Sequence, residues 1–232
     1  MTTEPPAELA LLLWLSPAFP VGAFAYSHGL EWAVETGDIK DAASLAVWLE
    51  DLCDAGAPRN DAVLFARAHR TAAAEDWLEV LKLNQLAVAL AGSLERRLET
   101  TQQGNAFVAA ASAAWDSGAL AALRAHVTEP YAYPVAVAAT AAGRGIPLAT
   151  ALAAFALAIF ANLVSAAVRL SVIGQTDGQR VLAHLLPRAA AMAEAAAGAE
   201  FAEGEAALGG SAFRSDLAAI LHETQYSRLF RS

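Results

Sequence analysis

The sequence predicts an all-α fold, built as a single-domain bundle of about ten helices. Three observations carry that expectation. Roughly a quarter of the 232 residues are alanine, the residue that most favours helix. Apolar residues recur at helical spacing, and no alternating strand pattern runs beyond three or four residues. Gly, Pro, Ser, Asn and Asp punctuate the chain where helices start and stop.

The elements follow in order. Ala7–Leu15 reads as a short apolar helix stopped by Ser16-Pro17. Ser16–Glu31 then carries two prolines and two glycines with Phe19, Phe24 and Tyr26. Prolines fix φ and glycines free it, so this segment is either a packed plug or a binding surface. Ser27–Glu35 reads as helix with Gly37 beyond it. Asp41 caps a helix over Ala42–Ala55, ended by Gly56 and Pro58. Asn60 is the expected cap of the next helix, which reaches Ala73. Asp76–Ala91 and Leu94–Ala114 follow, separated by Gly92-Ser93, and Ser117-Gly118 ends the second. Leu120–Val127 is a short helix, Glu129–Pro134 a second rigid aromatic loop, and Val135–Ala142 a helix closed by Gly143-Arg144-Gly145. Pro147 fits the first position of a helix over Leu148–Ile173. Asp177 is the expected cap of Gly178–Ala197, in which Pro187 would kink or split the helix. Gly198–Ser211 reads as a loop, Ser215–Glu223 as the last helix and Thr224–Ser232 as a tail.

Composition excludes some functions. The formal net charge is −9 and the sequence pI about 5.0. Without a Lys/Arg-rich run, nucleic acid is a poor partner. The single cysteine, Cys53, gives no disulfide framework and suits a reducing cytoplasm. Between Asp51 and Asp54 it reads as buried and inert. The N-terminal residues lack the basic segment of a signal peptide. Apolar residues make up 56% of the chain, which points to extra buried surface in an oligomer or complex. Gly145–Val168 has no charge and as a helix would span about 36 Å. Its alanines, Asn162 and Ser165 favour a buried helix over a membrane anchor.

No phosphate-binding loop, dinucleotide turn, Cys-x-x-Cys or His-x-x-x-His pair is present. The sequence therefore gives no handle for catalysis, a metal or a cofactor. The five histidines are scattered, and each reads as a surface or satisfied structural residue. His28 and Glu31, three apart, could share a helix face as a surface contact or acid–base pair. A small helical hydrolase using Ser27, His28 and Glu31 is a weaker alternative, because neighbouring side chains diverge on a helix. Glu95, Arg96, Arg97 and Glu99 read as a solvated charged face. The tail His222–Ser232 joins Arg228 and Arg231 to Tyr226, Leu229 and Phe230, residue types that dominate interfaces. It is either a frayed end or a partner contact.

Five segments in order resemble the family of urease accessory proteins UreF. They are Ser16-Pro17-x-x-Pro20-Val21-Gly22-x-Phe24-x-Tyr26-Ser27-x-Gly29-Leu30-Glu31, then Tyr133–Ala136 with Gly145–Leu148, Asn162–Leu170, Gly174–Gln179 and His222–Ser232. The region least like the family is Lys82–Asn105. The resemblance implies a non-enzymatic, cytoplasmic homodimer. It implies a nickel-insertion chaperone that joins UreD/UreH and recruits the GTPase UreG onto apo-urease, coupling GTP hydrolysis to nickel delivery. Nickel and GTP then belong to the partner complex, and the chain itself needs no cofactor. An α-helical domain over 1–223 would carry a partner-binding tail over 224–232. By residue match, Phe24, Tyr26, Ser27, Glu31, Tyr226, Arg228, Leu229, Phe230 and Arg231 are expected at the UreD/UreH contact. Gln175, Asp177, Gln179 and Arg180 are expected, more weakly, at UreG.

Overall fold

Eleven α-helices and one 3-10 turn make up the described part of a computed structural model, which covers residues 6–115, 117–198 and 208–232. No strand occurs among the described residues. The helices are α1 (Ala7–Trp14), α2 (Leu30–Glu35), α3 (Ala42–Ala55), α4 (Ala57–Ala73), α5 (Trp77–Ala89) and α6 (Leu94–Ala114). They continue with α7 (Gly118–His126), α8 (Tyr133–Gly143), α9 (Leu148–Arg169), α10 (Gln175–Gly198) and α11 (Phe213–His222), and the 3-10 turn is Ala23–Ala25. The expected loop over 198–211 falls mostly outside the described residues.

Side-chain caps start many of the helices. Asp41 accepts the Ser44 N–H in a reciprocal capping box, Asp76 accepts the Glu79 N–H, Ser93 the Arg96 N–H and Ser117 the Leu120 N–H. Each cap satisfies a donor that the helix itself leaves open.

Three expectations need correction. Asn60 does not cap α4. Gly56 stands at that position with Pro58 in the first turn, and the Asn60 side chain instead accepts the Gly209 N–H. Asp177 lies inside the first turn of α10 and binds Arg180 at 2.8 Å, and Pro187 does not end that helix. The helix expected from Ser27 begins only at Leu30, because His28 and Gly29 both hold positive φ, 55° and 75°.

The core centres on α8. Pro134 through Ala141 are all buried, so this helix is apolar on every side. It packs on α4, α6 and α7. Its alanines let neighbours approach closely. α9 packs on α10 and α4, and α10 packs also on α3. α9 is the one described helix long and apolar enough to cross a membrane, and half of its most apolar window is buried in the fold.

The second aromatic loop is held by residues from α5 and α6. Asn84 donates to the Pro130 carbonyl at 2.9 Å and accepts the Ala132 N–H at 2.7 Å. Asn105 accepts the Tyr131 N–H and Thr100 the Tyr133 N–H. Gly104 is the point of closest approach, where a Cβ would collide with the Tyr131 carbonyl. The stretch Lys82–Asn105, least typical by resemblance, thus anchors this loop.

Candidate functional site

The first aromatic loop and the C-terminal tail, at opposite ends of the sequence, fold against one another. The loop is fixed first from below. Asn162 of α9 donates to the carbonyls of Ala23 and Tyr26, and Arg169 donates to that of Phe24. Backbone at positive φ then turns the chain through His28 and Gly29 into α2. At Gly29 a Cβ would sit 2.5 Å from the Ala219 nitrogen. Only glycine fits both that φ and that approach to α11.

The tail closes over this surface through its backbone. Glu31 accepts the N–H groups of Leu229 at 2.6 Å and Phe230 at 2.9 Å. The Arg231 N–H reaches the Ala25 carbonyl at 2.7 Å. The Ser232 carbonyl accepts from both the backbone N–H, at 2.7 Å, and the hydroxyl of Ser27. Arg231 also donates to Gln102 Oε1, which accepts the Tyr26 hydroxyl at 2.5 Å. Burial pushes the Tyr26 phenol above its ordinary pKa. The Phe230 ring is buried under the Arg169 guanidinium, 4.5 Å from its centroid.

Beneath the tail, His222 of α11 is fully buried between two carboxylates. Its Nδ1 lies 2.7 Å from Glu95 Oε2, and its Nε2 lies 3.1 Å from Glu31 Oε2. Arg228 donates to the other Glu95 oxygen at 2.8 Å. Burial raises the Glu95 carboxyl despite the opposing pull of His222 and Arg228.

A second buried cluster lies one turn along α6. His28 Nε2 is 2.8 Å from Glu99 Oε1, and Arg96 pairs with both Glu99 and Asp61. Gln103 donates to Glu99 at 2.9 Å. Burial alone would raise the Glu99 carboxyl, but Arg96 and His28 overcome it and hold it at about 2. Burial outweighs Arg96 at Asp61, which is raised. This cluster borders a cavity of about 410 Å³, whose lining includes Trp14, Phe19, Phe24, Phe155 and Ile159.

The predicted residues therefore separate into two groups. Tyr26, Ser27 and Glu31 are buried and build the tail's seat, and Phe230 is the tail residue buried on it. Phe24, Tyr226 and Leu229 stand exposed, and Arg228 and Arg231 are partly committed to internal bonds. Gln175, Gln179 and Arg180 are exposed on the first turns of α10, with Asp177 half-buried beside Arg180.

Two sequence expectations are overturned. Glu95, Arg96 and Glu99 are not a solvated face: both carboxylates are buried and the guanidinium nearly so, with only Arg97 exposed. His28 and Glu31 do not pair, since His28 meets Glu99 and Glu31 meets His222. Ser27 likewise binds Ser232 and the Glu31 N–H rather than His28. Sequence reasoning missed Glu95, Gln102, Arg169 and His222. Their partners lie about sixty to two hundred positions away, so no local spacing marks them. Cys53 is buried as expected, and burial pushes its thiol up to about 12.

Comparison with known proteins supplies the family. The UreF family model matches residues 39–186. A urease accessory protein UreF from Methylobacterium radiotolerans is 53% identical, covering 98% of this chain and all of the relative. UreF of Xanthobacter autotrophicus is 52% identical over 98% of this chain and 92% of its own. UreF of Azorhizobium caulinodans is 49% identical over the whole of this chain and 98% of its own. With a family model spanning more than half its length and relatives matched end to end, the chain belongs to the UreF family of urease accessory proteins.

Proposed function

We propose that this chain is a non-catalytic, cytoplasmic scaffold for urease maturation. Acting as a homodimer, it joins UreD/UreH, recruits the GTPase UreG onto apo-urease and couples GTP hydrolysis to nickel delivery. Nickel is cargo and GTP belongs to UreG, so the scaffold carries no cofactor of its own.

One observation carries the reading. The tail backbone is held by Glu31, Ala25 and Ser27 while Tyr226 and Leu229 project into solvent. Large apolar side chains presented from a fixed backbone lower the ordering cost of binding. Arg169 ties the exposed Phe24 segment to Phe230, making loop and tail one surface for UreD/UreH. The exposed first turns of α10, with Gln175, Asp177, Gln179 and Arg180, are the UreG surface in this reading.

The test is co-purification. Deleting residues 224–232 is expected to abolish capture of UreD/UreH while far-ultraviolet circular dichroism keeps its helical amplitude. Capture that survives the deletion refutes the tail's role. For UreG, Asp177→Asn keeps the shape but weakens the ion pair with Arg180. Unchanged urease activation by this variant would return Asp177 to a structural part in α10.

A further inference from the structure

His222 makes a demand that its fold position alone does not explain. A neutral imidazole has one N–H and one lone pair. Here both ring nitrogens face carboxylate oxygens, Glu95 Oε2 and Glu31 Oε2, at 2.7 and 3.1 Å. With both carboxylates ionised, both contacts are attractive only when both nitrogens carry protons. The charged groups around the ring agree with that state. Glu31 comes from α2, Glu95 from α6 and Arg228 from the tail, while Glu223, the residue just after α11, accepts the Leu94 N–H. Two carboxylates and one guanidinium leave one negative charge, which a protonated ring cancels.

The same two carboxylates hold the tail. Glu31 takes the Leu229 and Phe230 N–H groups, and Glu95 takes Arg228. We propose that residues 222–232 form a proton-dependent strap, closed while the His222 ring carries both protons and released when one is lost. Deprotonation turns a lone pair onto a buried carboxylate, and the repulsion falls on the side chains that seat the tail. The seated state holds one more proton than the released state, so seating weakens as pH rises. The strap's bearing on partner capture rests on the scaffold reading above, whereas its chemistry is internal to the chain.

The experiment reads the tail directly, without any partner. Tyr226 is fully exposed, so Tyr226→Cys accepts a fluorophore without disturbing the seat. Cys53 is buried with its thiol pushed up to about 12, and stays unlabelled. Fluorescence anisotropy is followed from about pH 5.5 to about pH 9, bracketing the ordinary histidine value of about 6.5. The ratio of seated to released tail is expected to fall about tenfold or more, since one linked proton allows up to tenfold per pH unit. In a His222→Gln background the pH dependence is expected to vanish. In a Glu95→Gln background the amide can donate to a neutral ring, so the tail is expected to stay seated at the alkaline end. An unchanged anisotropy in the parent across the range, or an unchanged pH response in His222→Gln, overturns the strap. Neither outcome touches the co-purification test, which deletes the tail at one fixed pH.

Discussion

Glu31 accepts the backbone N–H of Phe230 at 2.9 Å across 199 positions of sequence. The same carboxylate takes the N–H of Leu229 and faces the His222 ring. One side chain on a six-residue helix therefore organises the tail. Glu31→Gln replaces one acceptor oxygen with an N–H₂ group that meets another donor. Bonds to charged acceptors are worth about 1.5–3 kcal/mol each. The variant is expected to lose about 2 kcal/mol in urea unfolding and to expose the tail to carboxypeptidase.

Buried and exposed tail residues should respond oppositely to truncation. Phe230→Ala removes a buried ring stacked under Arg169, and is expected to cost about 3 kcal/mol of stability. Tyr226→Ala and Leu229→Ala alter exposed positions, so stability should move by less than about 0.5 kcal/mol. Their expected effect is on UreD/UreH capture, with a loss of about tenfold or more per residue if they act as hot spots. Thermal melts beside pull-down titrations separate the two behaviours.

The Glu99 cluster predicts an acid limb in the stability curve. The folded carboxyl is held at about 2, below its unfolded value of about 4.3. Its contribution is complete above the unfolded value and disappears as pH falls from about 4.3 toward about 2. The shift corresponds to something on the order of 3 kcal/mol. Arg96→Met removes the main counter-charge, leaving a buried carboxylate short of a partner. It is expected to destabilise the protein by about 3–5 kcal/mol at neutral pH and to flatten that limb. Urea midpoints measured from about pH 7 down to about pH 2.5 check both statements.

Gly29→Ala probes the turn into α2. The new Cβ meets the α11 backbone 2.5 Å away, at a φ of 75° that alanine disfavours. A loss of about 2–4 kcal/mol is expected from strain and displaced packing together. A melting temperature within a few degrees of the parent would contradict this geometry.

Much of the helical frame was legible because its signals are local. Asp41 announces its helix at the position where the structure uses it, and Asp76 and the Gly92-Ser93 break fall where the structure places two further caps. Ser117 reads as an ending in the sequence, yet it also caps α7. The site was less legible. Ser27-His28-Gly29 looks helical by neighbourhood, yet bonds to Ser232 and contact with Ala219 hold it in another conformation. Glu95 and Glu99 show the i,i+4 spacing of a surface pair, but His222 and His28, contributed by distant elements, make burial tolerable. The residues expected at UreD/UreH by resemblance lie in two segments that the fold brings together. Spacing alone had no means of revealing that the two segments bind each other.

That long-range pairing also sets an order of events. Ser27 and Glu31 are synthesised early, and their partners at 222–232 arrive about two hundred residues later. During translation the loop has nothing to close on. The finished surface therefore forms only once residues 222–232 have been made and seated. A partner that recognises the seated tail would pass over nascent or truncated copies without needing any separate means of proofreading.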